Sequence, residues 1–96
     1  MAVRVLATLT TQPGKGGDLL ARWPDLAAQV HDEEPNLEYA LWRDAAAPDV
    51  FVVWELWESM DGLTAHGRSP HMREFGAAAA GFLAGPAVVQ VLGEVG

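Results

Sequence analysis

The run Val50 to Trp57, VFVVWELW, constrains this chain more than any other stretch. It is apolar at every position but Glu55, on both faces of a strand. Such a strand needs cover on both sides. Glu55 therefore sits where a charge is costly, and it requires a partner. Ser59 follows as a helix N-cap with Asp61 in the first turn, and that short helix reaches about His66 before Gly67 breaks it. Ser69-Pro70 opens the next helix, Ser as N-cap and Pro as first helical residue. Two histidines, His66 and His71, thus flank a break in the backbone.

The remaining elements fall in around this block. Val3 to Thr10 alternates Val3, Val5, Ala7 and Leu9 against Arg4, Leu6, Thr8 and Thr10, the pattern of a strand. Gln12 to Gly17 is a turn. Asp18 is the expected N-cap of the first helix, whose stripe is Leu19, Trp23, Leu26 and Val30. Pro24 is expected to kink or restart it, and it ends near Asp32 because Pro35 cannot continue it. Leu37 to Arg43 reads as strand two, hairpinned through Asp44 to Asp49 into strand three. Beyond Ser69 the stripe Met72, Phe75, Ala79, Phe82 predicts a helix stopped by Gly85-Pro86, and Ala87 to Val95 is strand four.

The order is β-α-β-β-α-β, within one domain spanning residues 1–96. It specifies a ferredoxin-like α+β fold, four antiparallel strands with the helices on one face. Helices on one face leave the other bare, yet these strands are apolar on both sides. The expected cover is a second copy packed sheet to sheet, giving a homodimer.

Charge and composition narrow the function. A net charge of −7 argues against nucleic acid and anionic membrane surfaces. No stretch approaches membrane-spanning length and no signal-peptide core is visible, so a cytoplasmic location is expected. The absence of cysteine excludes disulfides, thiolate metal sites and a Cys nucleophile. No phosphate loop or dinucleotide fingerprint is present, and no bound cofactor is expected. His66, His71 and Glu55 could in principle bind metal, but a five-residue His spacing across a helix break matches no ligand pattern, so none is expected.

The segments Glu33 to Tyr39, Phe51 to Trp57 with Glu55, Leu63 to His66, and then Ser69, His71 and Phe75 together resemble the antibiotic biosynthesis monooxygenase family. Pro35 stands where that family usually has a glycine. The resemblance implies a dimeric α+β barrel. It also implies oxygenation of a quinol or polycyclic phenol by dioxygen without flavin, haem or metal. On that reading a small aromatic substrate enters an apolar pocket lined by Trp57, Phe75, Met72 and Leu63. His66, oriented by Glu55, takes a phenolic proton, and Asn36 and Tyr39 stabilise the oxygenated intermediate.

Each residue also has a plainer role. Glu55 could be a structural buried carboxylate. His66 could be a helix C-terminal histidine favoured by the dipole. Asn36 could serve turn chemistry, and Tyr39 packing. His71 and Arg73 read as surface or capping residues, and Trp23 and Trp42 as core or interface. A non-catalytic ligand-binding dimer is the alternative function. Haem degradation ranks third, because strand one offers only Thr8 and Thr10 at the relevant places and Phe75 to Leu83 contains no His.

Overall fold

A computed structural model describes all residues, 1–96. Seven elements follow one another: β1 (Val3–Thr10), α1 (Gly16–His31), β2 (Asn36–Arg43), β3 (Val50–Trp57), α2 (Met60–Gly67), α3 (Pro70–Ala79) and β4 (Val88–Leu92). The strands form one antiparallel sheet in the order β2-β3-β1-β4. This is the ferredoxin-like arrangement, with the second helical unit split in two between Gly67 and Pro70, one residue beyond the expected break.

Alternation in the two central strands decides which side is inside. Val3, Val5, Ala7 and Leu9 of β1 are buried, as are Phe51, Val53, Glu55 and Trp57 of β3. Leu19, Leu26 and Val30 of α1 close over them. The opposite face carries Trp54, 38% exposed, and Trp42, 64% exposed. Arg4 lies over the Trp54 ring, its guanidinium carbon 4.3 Å from the centroid.

Several boundaries depart from expectation. α1 begins at Gly16, two residues before Asp18, and Lys15 occupies the N-cap position without a side-chain bond. A Cβ on Gly16 would lie 3.1 Å from the Phe51 ring, so a residue without one lets the chain turn into the helix against the sheet. Asp18 sits in the first turn, where its charge suits the dipole. The helix also runs unbroken through Pro24. Pro24 and Leu20 are both exposed, so water can satisfy the carbonyl that the proline leaves unpaired.

α3 stops at Ala79 rather than continuing past Phe82. The next residues pair instead with the end of β1: Gln12 N–H donates to Phe82 O and Ala84 N–H to Thr10 O, each at 2.8 Å. Phe82 still reaches the core and meets Phe75 edge-on at 6.1 Å between centroids. β4 is shorter than expected, because only Val88 to Leu92 finds partners on β1. All five of its residues are exposed. β2 gains Asn36 and is bulged between Asn36 and Glu38.

Candidate functional site

The site begins in the turn between α1 and β2. Glu33 N–H donates to Val30 O at 2.9 Å and Asn36 N–H to Glu33 O at 3.0 Å, which fixes the turn. Glu58 N–H donates to Pro35 O at 2.9 Å and ties it to the end of β3. α2 then docks on the same turn. A Cβ on Gly62 would lie 2.6 Å from Pro35 Cβ, so the helix seats closely only because residue 62 has no side chain. This docking delivers His66, in the last turn of α2, to Glu33.

Ser69 sets the second imidazole. Its hydroxyl donates to His66 O at 2.7 Å and accepts from Met72 N–H at 3.4 Å, so one side chain joins the end of α2 to the start of α3. His71, in the first turn of α3, is thereby turned inward. Glu33 Oε2 accepts from His66 Nδ1 at 2.8 Å and from His71 Nε2 at 2.9 Å.

Glu55 does not hold His66, contrary to the sequence expectation. Its Oε1 accepts from Trp57 Nε1 at 3.0 Å. The two residues share the helix-facing side of β3, as alternation demands, and that brings the indole N–H to the carboxylate. Burial pushes the Glu55 carboxyl up to about 7. The Trp57 hydrogen bond pulls it down, and the charge of Glu33 pushes it further up. Tyr39 is the direct cross-strand neighbour of Glu55. Burial, then the charges of Glu55 and Glu33, drive its phenol far above the ordinary range, so it remains a neutral donor.

Between the sheet and α3 lies a cavity of about 730 Å³. Glu55, Tyr39 and His66 reach its wall, among mostly apolar residues that include Leu63, Met72 and Phe75 as expected. Gly76, Ala79 and Ala80 also line it, so the small residues of α3 leave room rather than pack closely. The Glu55 Oε2, the Tyr39 hydroxyl and the His66 Nε2 have no hydrogen-bond partner in the chain, and none is sealed away from the cavity or solvent. An apolar hollow with a few polar groups in its wall is the usual form of a small-molecule site.

Two expected contributors stand elsewhere. Asn36 is outside the cavity wall, and its Nδ2 donates to Glu38 O at 3.0 Å across the bulge. Trp57 is fully buried one layer behind the wall, its ring 4.5 Å from His66. Trp23, expected in core or interface, lines the cavity and stacks on Tyr39 at 5.0 Å. Glu33 carried no expected role of its own, and its only signal was its place at the head of the segment resembling the family. The one cluster suited to a metal is Glu33, His66 and His71, whose ligand atoms lie within 4.8 Å of one another. It uses Glu33 where the sequence had offered Glu55.

Fold and hollow together define a ferredoxin-like α+β protein with a half-open, mainly apolar cavity under its helices. The family profile described as antibiotic biosynthesis monooxygenase matches residues 2–78, and the chain belongs to that family. Among similar solved structures is a Caulobacter crescentus protein designated a candidate antibiotic biosynthesis monooxygenase. It is 36% identical with a TM-score of 0.91, and the match covers 99% of this chain and 91% of that one. Rv0793 from Mycobacterium tuberculosis is 25% identical, with a TM-score of 0.90 and coverage of 100% and 97%. A conserved protein from Methanosarcina mazei Go1, 22% identical over 96% of this chain and 91% of its own, shares the fold at a TM-score of 0.90. No curated protein matches. No helix is long and apolar enough to cross a membrane.

Proposed function

We propose that this protein is a cofactor-independent monooxygenase that oxidises a quinol or polycyclic phenol with dioxygen. The observation that carries this reading is the set of three unpartnered polar atoms at the wall of an otherwise apolar cavity. Carboxylate oxygens only accept, so Glu33 takes the Nδ1–H of His66 and leaves the Nε2 lone pair free for the cavity. Nε2 removes a phenolic proton, and Glu33 steadies the imidazolium that results.

The phenolate is electron-rich at ring carbon. Carbon bonds to dioxygen, and the peroxide formed takes a proton from the wall. The O–O bond then breaks as the ring C–H proton returns to the wall, and the departing hydroxide takes the proton held by His66, giving a carbonyl and water. In sum, quinol plus dioxygen yields hydroxyquinone plus water, the substrate supplying all the electrons. Glu55, titrating near 7, can lend and recover the proton, and the Tyr39 hydroxyl donates to the oxygen that carries charge.

The working unit of this reading is a homodimer joined through the outer face of the sheet. Exposed Trp42, Trp54, Val88 and Leu92 support it. The test is oxygen uptake: anaerobic quinol is mixed with protein, air is admitted, and wild type is compared with His66→Ala. Uptake above the protein-free rate in wild type alone supports the reading. Equal rates in all three samples end it for that substrate and leave a ligand-binding dimer.

A further inference from the structure

Oxygen chemistry at the cavity uses only one nitrogen of His66. The other belongs to a second arrangement behind the wall. There one carboxylate oxygen stands between two imidazole nitrogens, at 2.8 and 2.9 Å. Both are hydrogen-bond lengths; two ligand atoms about 2.0–2.1 Å from one tetrahedral zinc stand roughly 3.4 Å apart, so each contact opens by about half an ångström when an ion takes the place of the shared protons. Three elements supply the groups: Glu33 from the α1–β2 turn, His66 from the end of α2 and His71 from the start of α3.

Little has to move. All three ligand atoms already lie within 4.8 Å of one another. The Glu33 and His71 side chains are each 16% exposed, so an ion can enter and water can complete the sphere. The surroundings favour a cation. The chain carries a net charge of −7, His66 sits at the carbonyl end of α2, and Asp25 and Glu74, with Arg22, line the depression beside His71. Two imidazole nitrogens and one carboxylate oxygen disfavour Mg2+ and Ca2+, which prefer all-oxygen ligands.

We propose that Glu33, His66 and His71 bind one divalent first-row transition ion per chain, Zn2+ being the best match, and that filling this site silences His66 as a base. The silencing follows from the tautomer and rests on the oxygenase reading. A neutral imidazole has one lone pair. When Nδ1 gives it to the ion, Nε2 must carry the proton. His66 then offers the cavity a donor in place of an acceptor.

The experiment uses the full chain, stripped with a chelator and desalted. ZnCl2 is titrated by calorimetry, and CoCl2 is followed by its visible absorption. One ion per chain is expected, weakened at least about tenfold in Glu33→Gln and in His71→Ala. His31→Ala, which alters the third histidine, binds as wild type. Imidazole nitrogen NMR of the wild type shows His66 Nδ1 and His71 Nε2 shifting with zinc, a readout that needs no variant to fold. Absence of 1:1 binding, binding unchanged in both variants, or shifts confined to His31 overturns the site.

Oxygen uptake by wild type falls at least about tenfold at saturating zinc and returns with chelator. His71→Ala requires correspondingly more zinc for the same fractional loss. Site-specific binding with unchanged uptake overturns the silencing. If no sample consumes oxygen, the oxygenase reading fails and the titration and NMR still decide the metal site.

Discussion

The two faces of the sheet are built from similar letters and end in different states. The inner face, closed by α1, α2 and α3, keeps Glu55, Tyr39 and His66 around a hollow. The outer face pairs Arg4 with Glu38, and it leaves Trp42 and Trp54 open, Trp54 lying under Arg4. A charge or phenol under the helices is expensive unless something uses it, whereas an indole on an open face is expensive unless something covers it. The inner face is thus a candidate for chemistry and the outer face for association.

Four measurements break or sharpen that contrast. The largest effect is expected from His66→Ala, which should lower quinol-dependent oxygen uptake about a hundred- to ten-thousandfold. A variant that retains the wild-type rate would remove the chemical role of the inner face.

Glu55→Gln comes next. The Glu55 carboxyl titrates at about 7 in the fold against 4.5 ordinarily, so the folded chain holds this proton more tightly than the unfolded one. Its contribution to stability is full below the unfolded value, fades as pH rises, and is gone above about 7. The loss is on the order of 3 kcal/mol. Melting curves should show Glu55→Gln matching wild type near pH 4 and exceeding it near pH 8. A variant less stable than wild type at pH 8 would mean that the ionised carboxylate is favoured in place.

On the other face, Trp54→Ala should weaken self-association by about 2 kcal/mol, roughly thirtyfold, in sedimentation at graded concentrations. A wild-type chain that stays monomeric at high concentration would deny the outer face that role. Arg4→Ala should be the mildest. Its ion pair with Glu38, 3.1 Å long, and its stacking on Trp54 are partly exposed, so urea unfolding of the monomer should change by less than about 1 kcal/mol. A much larger change would place Arg4 in a desolvated contact.

Much of the fold was legible because it is written in local terms. Alternation in Val3 to Thr10 and Val50 to Trp57, the caps at Ser59 and Ser69 and the break at Gly67 each act within a few residues. The same locality explains the errors. Helical spacing carried α3 through Phe82, because nothing nearby shows that residues 82 and 84 pair with Gln12 and Thr10. The site was half legible. Tyr39, Glu55, His66, Leu63, Met72 and Phe75 were anticipated and do meet at one cavity. The partner of His66 was not.

By itself, the sequence settled the order of elements, which residues of β1 and β3 share a face, and the placing of His66 and His71 on either side of a backbone break. These follow from periodicity and capping, which need no distant contact. Only the tertiary structure decided that Glu33 rather than Glu55 receives both imidazoles. That choice depends on α2 seating Gly62 against Pro35, a contact between residues far apart in the chain. A side chain's partner is whichever group the packing brings within about 3 Å, and no spacing along the chain encodes that distance.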